Sequence, residues 1–174
     1  MAALALTACS SSDSSDSASA KPPTSASSTA SASADPHAAD KKAAGSAYTQ
    51  FRAEQAKAYA KGSSNGTEVT RYATGDALGE VEADLLSLSS GGNVAEGAPV
   101  VDVRSVTIDG GGKLAKASLT DCLDVSKWHT VSKKTRKPLP TPSNQLTRYV
   151  NKVTLEKWGK RWMVLSDKST ATKC

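Results

Sequence analysis

A long segment near the amino terminus contains almost nothing from which a protein core could be built. Between residues 10 and 46 the side chains are nearly all Ser, Ala, Thr, Pro, Asp or Lys, and none is aromatic or branched aliphatic. Such a segment cannot bury enough apolar surface to offset the conformational entropy lost on folding. We therefore predict a disordered tether over residues 10–46. Residues 47–174 remain for a single folded domain, since about 130 residues suffice for one core.

The residues before this segment carry a motif for export. Leu6-Thr7-Ala8-Cys9 resembles the bacterial lipobox, in which the cysteine receives a lipid, and the polar tail that follows Cys9 fits that context. No Lys or Arg precedes Cys9, whereas a complete secretion signal starts with positive charge, so we expect residues 1–9 to be a truncated signal peptide. The motif predicts lipidation of Cys9 and anchoring to the outer face of a bacterial cell membrane. The alternative is a chance match at an ordinary terminus.

Two helical segments are predicted at the start of the domain. Apolar side chains recur at helical spacing over residues 46–61, and the segment Gly62–Gly66 ends that helix. A second pattern over residues 67–89 is also helical. Because Gly75 and Gly79 weaken its middle, a kink or two short helices is the alternative.

After the second helical segment the pattern changes to that of β-strands. Residues 99–108 are rich in β-forming side chains, Asp109–Gly112 is a turn, and residues 113–124 alternate between apolar and polar side chains. A hairpin is predicted over residues 146–167, with its turn at Gly159. Since helices come first and antiparallel strands follow, the sequence predicts an α+β fold with N-terminal helices packed on one face of a curved antiparallel sheet.

The chain has three cysteines, of which two remain once Cys9 is assigned to lipid. In an exported chain two cysteines favour a disulfide, which would join Cys122, in a predicted strand, to Cys174. The alternatives are two free thiols or a zinc site. Zinc is disfavoured because the sequence has no Cys-x-x-Cys motif and His129 is the only histidine nearby.

Four short motifs follow one another along the domain: RYATGDAL at 71–78, GAPVV at 97–101, LTDCLDVSKW at 119–128 and RWMV at 161–164. Together with Cys174 they resemble a group of actinobacterial secreted lipoproteins that have a nuclear-transport-factor-2-like (cystatin-like) cone domain. The resemblance implies a long helix and a second helical segment over a bent antiparallel sheet, and it supports the pairing of Cys122 with Cys174. It implies no particular activity, since this fold includes enzymes and non-enzymes.

The resemblance also suggests where a pocket would form. Some cone-fold proteins are isomerases or dehydratases that use a buried aspartate, which needs a pKa raised by burial and a donor aimed at the developing oxyanion. In this chain Tyr72, Asp76, Asp121 and Trp128 are the candidates for such a pocket. The alternative is structural: the aspartates cap a helix or bond to backbone, and Trp128 belongs to the core.

No catalytic triad, phosphate-binding loop or metal-ligand cluster is apparent in the sequence, so we predict no cofactor and no metal. The net charge is +5, but the basic loop Lys133–Lys137 has no interleaved aromatic side chains, which argues against nucleic-acid binding. We therefore predict a membrane-tethered extracytoplasmic module that is not an enzyme and that binds a small apolar ligand or an envelope protein. The alternative is a small cone-fold enzyme, of isomerase or dehydratase type, with a buried aspartate.

Overall fold

The structure is a computed structural model, and it describes residues 35–174. The three helices are α1 (Ala38–Lys61), α2 (Val69–Tyr72) and α3 (Gly75–Ser90). The strands are β1 (Asn93–Glu96), β2 (Val103–Asp109), β3 (Lys116–Asp124), β4 (His129–Ser132), β5 (Arg148–Trp158) and β6 (Arg161–Ser169). Helices come first and antiparallel strands follow, so the predicted α+β class is confirmed. The predictions for the signal peptide, for lipidation of Cys9 and for most of the tether lie outside the described residues.

The main sheet has four antiparallel strands in the order β2-β3-β5-β6, and β1 pairs with β4 in a separate two-stranded sheet. In β3, Ala117, Leu119 and Leu123 are buried, whereas Lys116 and Ser118 on the opposite face are exposed. An antiparallel sheet commonly has one face against the core and one face in water. The alternation predicted for residues 113–124 therefore describes this strand correctly.

Helices α1 and α3 pack on the buried face of the main sheet. Tyr48 and Phe51 of α1 and Val81 of α3 meet Leu155 and Val164 of the sheet, and all five are at most 1% exposed. Each large apolar side chain buried in this way contributes about 1.5–3 kcal/mol relative to an exposed position. The packing leaves one end of the helical layer beside β1 and β4, and the candidate site lies at that end.

The predicted end of the tether at residue 46 is wrong, because α1 already begins at Ala38. Residues 38–46 have no large apolar side chain, but they are rich in alanine, which has the highest helix propensity and so forms a helix with little burial of apolar surface. Tertiary contacts supply the rest: Ala44 is fully buried, and Lys157 Nζ of β5 lies 2.6 Å from Asp40 Oδ1. Composition alone thus underestimates how far the helix extends.

The second helical pattern is divided between α2 and α3, as the alternative of two short helices predicted. The break lets Thr74 donate its backbone N–H to the carbonyl oxygen of Val164, at 2.9 Å, so that the chain touches β6 between the helices. Gly75 then adopts a φ of +57°, which favours glycine. The strand predicted at residues 99–108 begins only at Val103, and β1 and β4 were not predicted because four residues are too few to show an alternating pattern.

Cys122 and Cys174 are joined by a disulfide, with their Cα atoms 5.9 Å apart. Before Cys174 the chain continues the pairing of β6 with β5, and Val150 donates its backbone N–H to the Thr172 carbonyl oxygen at 2.8 Å. Cys122 alternates with core residues along β3, but its bond to Cys174 accounts for its exposure of only 1%. In the described part of the chain, no helix combines the length and the apolar character that crossing a membrane requires.

Candidate functional site

The four residues of the predicted pocket do not form one cavity. Asp76 is exposed in the first turn of α3, and Tyr72 lines a cleft with Arg71 and Trp162. Asp121 is fully buried beneath α1, whereas Trp128 lies after the end of β3 and lines a different cleft. The predicted pocket does not form as a unit, because Tyr72 and Asp76 belong to α2 and α3 whereas Asp121 and Trp128 belong to the β3 region, and the fold gives the four residues different surroundings. Only Trp128 belongs to the candidate site described below.

Asp121 belongs to a buried polar network between α1 and the sheet. Its Oδ2 accepts a hydrogen bond from the Tyr48 hydroxyl at 2.9 Å, and its Oδ1 accepts one from the Asp102 backbone N–H at 2.7 Å. The Tyr48 oxygen in turn accepts from Arg52 Nε at 3.0 Å and from Asn151 Nδ2 at 3.2 Å. Burial raises the pKa of Asp121 above its usual range. Both carboxylate oxygens are occupied and the side chain has no exposed surface, so Asp121 acts as a structural acceptor here.

Arg52 is the cation of this network. Its Nη2 lies 2.6 Å from Asp167 Oδ2, and both side chains are less than a tenth exposed. Asn151 also donates from Nδ2 to Asp167. Burial acts to lower the pKa of Arg52, but the charge of Asp167 and the Tyr48 hydroxyl outweigh it, so the guanidinium stays charged. Burial raises the pKa of Asp167, which shares this single cation with the neighbouring Asp121.

A series of hydrogen bonds leads from Arg52 to the surface. Arg52 Nη1 donates to Gln55 Oε1 at 2.8 Å, Gln55 Nε2 donates to the Tyr59 oxygen at 3.1 Å, and Tyr59 donates to Asp84 Oδ2 at 2.5 Å. Arg52, Gln55 and Tyr59 lie three and four residues apart, which places them on one face of α1. Burial, followed by the bond to Asp84, raises the pKa of Tyr59, so its phenol stays neutral. Asp84, on α3, is exposed at the far end of the series.

The series ends at a cleft of about 300 Å³, which we call the Trp128 cleft. Its lining residues are Tyr59, Asp84, Ser87, Leu88, Ala95, Val125, Trp128, His129, Thr130, Gln145 and Tyr149. One wall comes from α1 and α3, and the other comes from β1, β4, the start of β5 and the adjoining loops. A volume of this size is at the lower end of the range for small-molecule sites.

Trp128 forms the central wall of the cleft. Its indole stacks on the Tyr59 ring, with centroids 5.3 Å apart and an interplanar angle of 20°. Its Nε1 is buried and has no hydrogen-bond partner among residues 35–174. Buried polar groups without a partner are rare in folded proteins. This donor has almost no accessible surface, so it would meet a ligand only if the Trp128 side chain shifted.

The backbone next to Trp128 is held by a close approach to Gly97. Gly97 has a φ of +82°, and a Cβ atom at this position would overlap the carbonyl oxygen of Lys127. Only glycine avoids both the strained backbone and the overlap. Gly97 directly follows β1, so this contact fixes Trp128 relative to the β1–β4 pair.

A second, polar cleft of about 170 Å³ adjoins the first and shares Tyr59, Asp84, Trp128 and Tyr149 with it. The polar residues that belong to the second cleft alone are Arg52, Gln55, Glu80, Asp167 and Ser169. The exposed end of the buried network therefore opens beside the Trp128 cleft. Within residues 35–174, no group of three or more His, Cys, Asp or Glu side chains is placed to hold a metal ion.

Of the eleven lining residues, only Trp128 was predicted from the sequence to belong to a pocket, and the functional side chains that sequence reasoning missed include Tyr59, Asp84 and Tyr149. Tyr59 falls on the core-facing side of α1, where an aromatic residue normally indicates packing alone. The one available signal was the spacing of Arg52, Gln55 and Tyr59, which places polar groups on that same face. Asp84 is exposed on a helix and Tyr149 is the second residue of a strand, and nothing in the sequence distinguishes either position from an ordinary surface residue.

Comparisons with known proteins bear on the fold. No protein-family model matches the sequence, and no curated protein matches it. Among solved structures, the intermembrane space region of the chloroplast protein ARC6 is similar, with a TM-score of 0.51 and 13% sequence identity. The match covers 76% of this chain and 98% of that chain. At this identity the likeness shows a shared arrangement of helices and strands and nothing of function. The relationship to actinobacterial lipoproteins stays a prediction.

Proposed function

We propose that this protein is a non-catalytic binding module that takes a small ligand in the Trp128 cleft. The observation that carries the proposal is the cleft itself, where the stacked rings of Tyr59 and Trp128 stand beside Leu88, Val125 and Tyr149. Such a mixture of aromatic and aliphatic walls with a few polar groups is typical of ligand sites. The exposed carboxylate of Asp84 is the polar group that would orient the ligand.

The walls of the cleft are held in place before any ligand arrives. Tyr59 is fixed by its bonds to Gln55 and Asp84, and Trp128 by its stacking and by the approach to Gly97. A preformed site binds more tightly because less side-chain and loop entropy is lost on association. This rigidity supports a binding role.

The alternative is a small cone-fold enzyme that uses a buried aspartate. Asp121 has a raised pKa and the deepest burial of the aspartates, but its side chain has no exposed surface and it lines neither the Trp128 cleft nor the adjoining polar cleft. A general acid or base must come within hydrogen-bond reach of its substrate. We therefore favour binding over catalysis, and the enzyme stays the second hypothesis.

The proposed location is the outer face of a bacterial cell membrane, with lipid on Cys9 as the anchor. The chain between Cys9 and α1 would serve as a spacer on the order of 30 Å if it behaves as a flexible coil. Mass spectrometry of the protein extracted from membranes is expected to show a lipid-modified Cys9, and a Cys9→Ser variant is expected in the soluble fraction. Unmodified Cys9 in membrane-extracted protein would remove the anchor from the proposal and leave the cleft untouched.

The binding role is testable with the neutral fluorescent probe N-phenyl-1-naphthylamine. We expect saturable fluorescence enhancement with the full chain and at least about five-fold weaker binding by Trp128→Ala, since an aromatic wall is lost. Trp158→Ala is the matched control, because Trp158 is 45% exposed and lies outside the Trp128 cleft. Absence of saturable binding, or an equal effect of the two variants, would overturn the proposal. A partner protein would then become the favoured ligand class.

A further inference from the structure

We infer that the Trp128 cleft is selective for an organic cation, that is, a quaternary or protonated amine. The inference rests on the proposed binding function and names its ligand class. Asp84 places a carboxylate in the lining, and none of the described lining residues is Lys or Arg. The remaining titratable lining side chains are His129, Tyr59 and Tyr149. The chain as a whole has a net charge of +5, whereas this cleft has one carboxylate and no Lys or Arg in its lining.

The Asp84 carboxylate is available to a ligand. Its Oδ2 accepts the hydrogen bond from Tyr59, which orients the group without neutralising its charge. Within residues 35–174 Asp84 forms no ion pair with a Lys or Arg, and the side chain is exposed. A fixed, uncompensated charge beside low-dielectric aromatic walls attracts a counter-charge more strongly than the same group does in open water.

The helix that carries Asp84 strengthens this negative field. The sequence of α3 contains Asp76, Glu80, Glu82 and Asp84 and no Lys or Arg. Glu80 lies one turn before Asp84 and lines the adjoining polar cleft, so two carboxylates four residues apart face the same opening. Like charges at this spacing destabilise a helix, and a bound cation would relieve that repulsion. The one cation of the adjoining cleft, Arg52, already pairs with Asp167.

The aromatic residues decide which kind of cation fits. Tyr59, Trp128 and Tyr149 border the cleft together with Leu88 and Val125. Aromatic rings attract ammonium groups through their negative faces, and tryptophan does so most strongly. Ca²⁺ and Mg²⁺ instead require several oxygen ligands, and the cleft has a single carboxylate. A weakly hydrated organic cation therefore matches the walls better than a metal ion does.

The test compares choline with its neutral isostere 3,3-dimethylbutan-1-ol, which has the same shape without the charge. Isothermal titration of the full chain is expected to show choline binding about ten-fold or more tighter than the alcohol. Asp84→Asn is expected to weaken choline binding by about five- to ten-fold and to leave the alcohol unchanged. Glu82→Gln is the control, since Glu82 is exposed on the same helix and lines neither cleft. Glu80→Gln, which leaves Asp84 intact, is expected to weaken choline binding by about two- to three-fold.

The outcomes separate this inference from the proposed function. Equal affinities for choline and the alcohol, or absence of choline binding while N-phenyl-1-naphthylamine binds, would overturn the cation selectivity and leave the binding module standing. An equal loss in Asp84→Asn and Glu82→Gln would show a general field effect and would also overturn it. Failure of all three probes would remove the inference together with the function on which it rests.

Discussion

Tyr59 donates its hydroxyl hydrogen to Asp84 across 2.5 Å, and this bond joins the buried polar network to the Trp128 cleft. The same ring stacks on Trp128, so one side chain fixes both the carboxylate and the aromatic wall. Core and cleft are therefore physically continuous. The consequences can be tested by substitution at each end of that connection.

Removing only the Tyr59 hydroxyl tests the connection directly. Tyr59→Phe keeps the stacking ring but loses the bonds to Gln55 and Asp84, so we expect the free energy of unfolding to fall by about 1 kcal/mol. The affinity for choline is expected to fall several-fold because Asp84 is no longer oriented. The affinity for the neutral N-phenyl-1-naphthylamine is expected to stay unchanged. Urea denaturation and titration measure the two effects. Tyr72→Phe is the control, and an equal response of both variants would contradict the role given to Tyr59.

The ion pair between Arg52 and Asp167 should be costly to break from one side. Arg52→Met leaves Asp167 buried without its cation, and we expect a loss of about 3–5 kcal/mol of unfolding free energy. The double variant Arg52→Met, Asp167→Leu removes both charges and is expected to recover part of that loss. Chemical denaturation of the single and double variants provides the measurement. A single variant that loses less than about 1 kcal/mol would mean that the pair is solvated.

The raised pKa of Asp121 gives the stability a pH dependence of known sign. Because burial holds this pKa above the unfolded value of 3.8, the folded protein binds the proton more tightly than the unfolded chain does. The contribution of Asp121 is therefore greatest at low pH and is lost as the pH rises through the folded-state pKa. Asp121→Asn removes this titration. It also lowers stability overall, because one of the two oxygens that accept from the Tyr48 hydroxyl and the Asp102 backbone N–H becomes an NH2 donor.

The measurement is urea denaturation of both proteins at several pH values above about pH 4. The stability difference, wild type minus Asp121→Asn, is expected to shrink as the pH rises. Taking the difference cancels the carboxyl groups of Asp40, Glu54 and Glu156, whose pKa values are lowered and which titrate alike in both proteins. A difference that grows with pH would show that Asp121 is better stabilised as an anion in the folded state.

Substitution by alanine is expected to have opposite effects at two glycines, Gly97 and Gly79. Gly97→Ala forces a Cβ onto the Lys127 carbonyl at positive φ, so we expect a loss of at least about 2 kcal/mol together with weaker probe binding at Trp128. Gly79→Ala, on the open surface of α3, is expected to stabilise the protein by about 0.5–1 kcal/mol. Thermal unfolding measures the stability of the two variants relative to the unchanged protein. A well-tolerated Gly97→Ala would mean that the β1–Trp128 contact is looser than described.

The class of fold was predictable because regular elements have periodic patterns. The alternation in β3 and the hairpin turn at Gly159 indicate where strands lie and which faces they bury. The start of α1 was not predictable, since Ala38 to Ser46 form a helix through contacts with β5 that composition does not record.

The candidate site was much less predictable than the fold. Trp128 was predicted from a motif, but much of the remaining lining comes from α1, α3, β1 and β5, which are distant from Trp128 in sequence. Asp121 illustrates the opposite error. It occupies a motif position and could act as an acid or a base, but its side chain is buried and has a structural role. A residue type indicates what chemistry is available, and only the tertiary arrangement decides whether that group meets solvent.

Nuclear magnetic resonance of the three tryptophan indole N–H groups tests the central claim most directly. The full chain, labelled with ¹⁵N, is titrated with choline and then with 3,3-dimethylbutan-1-ol, and Trp128→Phe assigns the signal of interest. We predict that the Trp128 signal moves saturably with choline while those of Trp158 and Trp162 stay in place. Movement of Trp158 or Trp162 instead, or no movement with either ligand, would contradict the assignment of the Trp128 cleft as the ligand site.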